Sequence, residues 1–193
     1  MRNRSAVLTA RLAACIALAL SLSCAKAAST VPANEPTSEY NQGVDAFRAK
    51  DYDAARRHWQ LATQAPDAPP EVYNNLGFLL HEGLGGDADL AGGVALWRKA
   101  AERAVSESQL HLGQAYEDGA GVGADPVQAY AWAVCALATS LAATDQDDVE
   151  VAIRQHIYRF LDELAIRLPP EQRAAGARLG EDLVARYSKP HAE

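Results

Sequence analysis

The apolar residues Val127, Tyr130, Ala131, Val134, Cys135 and Ala138 fall at i, i+3, i+4, i+7, i+8 and i+11, which draws one stripe down a helix. Asp125 just before it is a good N-cap, and Pro126 suits the first turn, whose N–H groups have no helical partner. A second stripe, Val149, Ile153, Ile157, Phe160, Leu161 and Leu164, predicts the buried face of another helix. It opens on the acidic stretch Thr144-Asp145-Gln146-Asp147-Asp148 and is stopped by Pro169-Pro170, after which Glu171 to Tyr187 reads as a last helix. From Glu39 to Tyr187 no run alternates polar and apolar positions and no Val/Ile/Thr-rich cluster predicts a strand. Upstream of the first stripe the helices are expected in pairs, 39–49 with 53–65 and 70–82 with 89–103, followed by 106–117 with 126–140.

The pairs repeat. Trp59, Trp97 and Trp132 stand 38 and then 35 residues apart; Gly43, Gly77 and Gly113 stand 34 and then 36 apart; Asp51, Asp89 and Asp125 stand 38 and then 36 apart. Three landmarks in register at this period predict stacked helix pairs, each showing its apolar stripe to the next so that no pair is stable alone. The expected fold is all-α: a short α-solenoid with repeats at 39–66, 70–103 and 106–140, closed by capping helices at 145–187. A glycine where two helices cross lets their backbones approach closely, and Trp alternating with Ala on the second helix lets the two interlock. Glycines in the turns, Gly119 and Gly121 among them, permit positive φ between helices.

Residues 39–66 resemble a tetratricopeptide repeat through the spacing of Gly43, Tyr52, Ala55, Trp59 and Ala62. The later stretch resembles the Sel1-like repeat, a relative with a longer Gly-rich turn. The third repeat carries Leu112-Gly113, Tyr116, Gly119, Gly121-Val122, Asp125, Ala129, Trp132 and Ala136. The second carries Leu76-Gly77, Gly83, Gly85, Asp89, Trp97, Ala100 and Ala101, with Leu80 in place of the Tyr, Gly86 in place of the Val, and the Trp one residue late. Leu168-Pro169-Pro170-Glu171-Gln172 resembles the Leu-x-Pro-Glu-Gln helix pair that often ends such chains. The resemblance implies a right-handed superhelix and a groove that binds a protein or peptide.

Leu12 to Leu22 is uncharged and mostly apolar, follows Arg2, Arg4 and Arg11, and precedes the small-x-small site Ala25-Lys26-Ala27. Too short to span a bilayer comfortably, it reads as the core of a signal peptide over 1–27, with a retained anchor as the alternative. Cleavage after Ala27 would give a soluble periplasmic protein. Lipidation at Cys24, which closes the apolar run behind Ser21-Leu22-Ser23, would instead tether the protein to the outer membrane; this is the one expected link to a membrane. Cys15 follows the better triplet, Leu12-Ala13-Ala14, but most of the apolar run lies after it. Residues 28–38 (ASTVPANEPTS) are small, polar and Pro-containing, and read as a flexible linker.

The formal net charge is −7, and loss of 1–27 would remove four basic residues and no acidic one. A chain of this sign repels phosphate backbones, so nucleic acid is excluded as the expected partner. Glu71, Glu82, Asp87, Asp89, Glu102, Glu107, Glu117, Asp118 and Asp125 read as a solvated surface that keeps the protein soluble; the alternative is a field that steers in a partner with a basic patch. No catalytic, cofactor-binding or metal-ligating set emerges. His81-Glu82 begins like a zinc-protease helix, but Gly85 holds the place of the second ligand, leaving a loop-proximal polar pair. His58, His111 and His156 lie on separate helices, and Gly119-Ala120-Gly121-Val122-Gly123 lacks the third glycine and the preceding strand of a dinucleotide loop. Cys135, on the apolar stripe beside Trp132, reads as a small hydrophobe. The chain is therefore expected to be no enzyme and to use no cofactor. Its expected role is a protein- or peptide-binding adaptor of the bacterial cell envelope; the alternative is an envelope-maintenance protein that recognises cell wall or a wall enzyme.

Overall fold

A computed structural model of the protein describes residues 36–144 and 147–188. Among the described residues all regular structure is helical: α1 (Pro36–Arg48), α2 (Tyr52–Ala62), α3 (Pro70–Glu82), α4 (Leu90–Ala101), α5 (Ser106–Asp118), α6 (Pro126–Ala142), α7 (Asp148–Arg167) and α8 (Pro170–Tyr187). The expected signal peptide, Cys24, most of the linker, and Asp145 and Gln146 lie outside the described residues. Helix α1 begins at Pro36, so residues 36–38 form its first turn rather than the end of a linker; proline is tolerated where the N–H has no helical acceptor.

Four aspartates set where helices begin. Asp51, Asp89, Asp125 and Asp147 each accept backbone N–H groups of the following turn, satisfying donors that would otherwise be orphaned. The C-termini of α3 and α5 close alike. Gly83 and Gly119 take φ of 67° and 69°, and the N–H groups of Leu84 and Ala120 return to the carbonyls of Leu79 and Ala115. Asp89 and Asp125 then donate N–H bonds of 2.8 Å to the carbonyls of Leu80 and Tyr116. The two turns thus share one geometry, although Leu80 and Gly86 depart from the repeat pattern.

Consecutive helices pack against one another from α1 to α7, which makes a short α-solenoid. Helix α8 does not extend the row; it lies back along α6, which also carries α7 on another side. The main core runs from Val44 through Trp59, Leu79 and Trp97 to Leu112, Trp132 and Leu183. A second core, of Leu110, Ala133, Ile153, Ile157, Phe160 and Leu164, joins α5 and α6 to α7. Ile153, Ile157, Phe160 and Leu164 of the α7 stripe are buried, with Val149 and Leu161 half-buried at its edge. No helix among the described residues is long and apolar enough to cross a membrane.

Candidate functional site: an acidic cleft across the helix pairs

The repeat residues build the scaffold. In the first pair a Cβ on Gly43 would fall inside the Trp59 indole, and Trp59 donates its ring N–H to the Tyr40 carbonyl at 3.1 Å. The second pair repeats this: a Cβ on Gly77 would lie 2.8 Å from Trp97 Cδ1, and Trp97 donates to the Asn74 carbonyl at 3.2 Å. The acceptor stands three residues before the glycine in both. The third pair departs from this arrangement. A Cβ on Gly113 would meet Phe160 Cε1 at 3.0 Å and the Ala129 carbonyl at 3.1 Å, while Trp132 stacks on Tyr187 with its buried N–H unbonded. The late Trp of the second repeat therefore makes the lock, and the indole of the third repeat makes a different contact.

The remaining repeat positions serve the turns. Cβ atoms at Gly85 and Gly121 would collide with the carbonyls of Tyr52 and Leu90, the first residues of α2 and α4, so each glycine turn seats on the start of the preceding pair's second helix. Asp125 caps α6, and Tyr116 accepts a 2.9 Å hydrogen bond from Arg98.

The polar residues take the following places. His81 pairs with Glu82 at 3.0 Å beside the turn, as expected, but it is also buried and shares the faces of Trp97 with His111, at ring distances of 4.7 and 4.6 Å. Burial, with the nearby His81 adding, pulls the His111 imidazole down to about 3, so it is neutral at physiological pH. His58 pairs with Glu39 at 2.8 Å and His156 bonds the Ala152 carbonyl. Among the described residues no three His, Cys, Asp or Glu side chains gather as a metal site requires. Cys135 is fully buried, which pushes its thiol up to about 12 against a hydrogen bond from Thr139; it is an inert core residue.

A cleft of about 600 Å³ opens where the N-terminal halves of α1, α3, α5 and α7 meet the α4–α5 and α6–α7 connections. Tyr40, Glu71, Asn74, Ser106, Glu107 and Glu150 bring its polar groups from all four of those helices. Glu107, expected at the surface, is only 6 % exposed. Its Oε2 accepts from Asn74 Nδ2 at 2.8 Å, and Asn74 Oδ1 in turn accepts from Ser108 at 2.6 Å. Burial pushes the Glu107 carboxyl up to about 7; the Asn74 bond opposes the rise and the Glu150 charge adds to it. Burial likewise lifts the Tyr40 phenol to about 12, with Glu71 adding and a bond from Asn75 opposing.

The match to known proteins follows the same units. The Sel1 repeat model matches residues 38–67, 70–105 and 106–138, just over half of the chain. The chain belongs to the Sel1 repeat family. Sel1 repeats generally mediate protein–protein interaction, and proteins built from them are typically non-catalytic scaffolds. Among solved structures, this Sel1 repeat protein is similar to a protective antigen present in uropathogenic Escherichia coli strains that displays an SLR fold. The two share 25 % identity at a TM-score of 0.69. The alignment covers 80 % of this chain and 31 % of the antigen, so this chain spans about a third of that protein's length. No curated protein matches the sequence.

Proposed function

We propose that the protein is a non-catalytic adaptor of the bacterial cell envelope that holds a protein or peptide segment in the cleft between α1, α3, α5 and α7. The observation that carries this reading is the cleft itself. It draws its lining from four helices, is large enough for several side chains, and presents hydrogen-bonding groups around a buried floor. The reactive groups of the core argue against catalysis, since the Cys135 thiol and the His111 imidazole are both sealed away from the cleft lining. The envelope location rests on the sequence of residues 1–27, with release after Ala27 or lipidation at Cys24 as its two forms.

The test is capture from envelope extract with the wild-type protein and with Ala142→Trp, which places an indole on the exposed rim of the cleft. Partners retained by the wild type and lost by the variant are expected, and identical capture profiles would overturn the reading. Mass spectrometry of the mature N-terminus, in the same preparation, is expected to find Ala28 or a lipidated Cys24; an intact Met1 would refute both forms.

A further inference from the structure

The floor of the cleft holds a carboxylate whose hydrogen bonding is half complete. Glu107 Oε2 is held by Asn74, whereas Oε1 is buried and has no hydrogen-bond partner among the described residues. Asn74 is committed on every side: its Oδ1 takes the Ser108 hydroxyl, its carbonyl takes the Trp97 N–H, and its amide also lies 3.4 Å from Asn75 Oδ1. The carboxylate is therefore fixed in place and still lacks a donor, an arrangement that costs free energy until a donor reaches it.

The surroundings specify what kind of donor fits. Glu150 faces Glu107 from α7, with its carboxylate taking the Ser106 hydroxyl at 3.2 Å; Tyr40 faces it from α1, and the exposed Glu71 of α3 lies beside Tyr40. Arg103 brings positive charge to the lining, but its guanidinium donates to the Ala68 carbonyl at 2.9 Å and lies over the Tyr73 ring. Two carboxylates, Glu107 and Glu150, thus face one another in the cleft, with Glu71 at its exposed margin. One unbonded carboxylate oxygen calls for one charged donor, so the complementary group is a monocation carried on a side chain long enough to reach the floor.

We infer that Glu107 is the receptor for one cationic side chain, the ammonium of a lysine or the guanidinium of an arginine, presented by a peptide segment lying in the cleft. The inference rests on the peptide-binding reading above and names the chemistry of its partner. The cation donates to Oε1, and Glu150 supplies the neighbouring negative charge.

The test selects binders from a random twelve-residue peptide display library on the purified protein, with Ala142→Trp as counter-selection. Selected peptides are expected to share a Lys or Arg at one position. Replacing it by norleucine, or replacing Glu107 by Gln, should each weaken binding about tenfold or more, and Glu150→Gln should weaken it less. Circular dichroism and thermal unfolding of Glu107→Gln check that its fold is intact; the norleucine peptides give the same answer with no change to the protein. Cleft-dependent peptides with no shared cation, or with one indifferent to Glu107→Gln, would overturn this inference and leave peptide binding standing. Selection of no peptide that Ala142→Trp rejects would overturn both.

Discussion

In the pairs α1/α2 and α3/α4 a glycine of the first helix faces an indole of the second, and the indole donates to a backbone carbonyl one turn before that glycine. In α5/α6 the glycine faces backbone and a phenylalanine edge, and the indole has turned away. The residue types are the same, but the register differs. Trp59 and Trp97 stand eight residues after their N-cap aspartates, whereas Trp132 stands seven after Asp125. One residue rotates a helical side chain by about 100°. Ala133 takes the eighth place, and its backbone lies 3.6 Å from where a Gly113 Cβ would be.

That rotation changes what the third pair can do. Trp132 is released to stack on Tyr187 at the end of α8, and the close-approach glycines now belong to α8 itself. Cβ atoms on Gly176 and Gly180 would lie 2.8 Å from the Cβ atoms of Tyr130 and Val134. Gln109 ties the other margin, donating to the carbonyls of Ala101 and Tyr187. A lock internal to a pair has become a seat for the capping helix. The apolar stripe from Val127 to Ala138 is the face that α8 covers.

The contrast breaks most severely at Trp97. It is 1 % exposed, bonded to Asn74, and pressed between two histidine rings. Trp97→Ala should destabilise by about 3–5 kcal/mol in urea unfolding, since a cavity of that size cannot collapse between α3 and α5. A loss below about 1 kcal/mol would mean the indole is not what joins the second pair to the third.

The periodic features are legible in the sequence: four helix pairs, the capping aspartates, the turn glycines and the buried stripe of α7. They are legible because each is either local to a turn or two or repeats at a fixed spacing along the chain. The cleft is not. A glutamate in the first turn of a helix reads as a surface charge favoured by the helix dipole, and the groups that meet Glu107, Asn74 of α3 and Glu150 of α7, come from distant parts of the chain. The histidine pair about Trp97 joins three helices, so no local pattern carries it. Gly176 and Gly180, one turn apart on α8, were the signal for its close seat on α6, and the one-residue shift of Trp132 was visible as a spacing without its consequence.

A second difference between the pairs is that α5 buries two groups with shifted protonation, Glu107 and His111. Glu107 is raised above its unfolded value of 4.5, to about 7, so its stabilising contribution is complete below pH 4.5 and is lost as pH rises through 7. His111 is lowered from 6.5 to about 3, so its contribution is complete above pH 6.5 and is lost as pH falls towards 3. The two slopes oppose one another between pH 4.5 and 6.5, where stability from this pair should be flat. Glu107→Gln removes one slope. Relative to wild type it should gain nothing at pH 4 and about 2–3 kcal/mol at pH 8, read by urea unfolding across that range. An equal gain at both pH values would show that Glu107 does not titrate within the fold.

The smallest effect is the most discriminating. Trp→Phe removes the same volume at each of the three positions, so differences among them isolate the indole N–H. Trp59→Phe and Trp97→Phe each lose a hydrogen bond to a carbonyl, at 3.1 and 3.2 Å, and should cost about 1–2 kcal/mol. Trp132→Phe loses no hydrogen bond, and it removes a buried donor that has no acceptor. Deleting an orphaned donor offsets part of the cavity cost, so this variant should lose less than about 1 kcal/mol. Thermal unfolding of the three variants side by side gives the ranking directly. If Trp132→Phe cost as much as Trp97→Phe, the third indole would have found an acceptor, and the one-residue shift would have moved the ring without ending the lock.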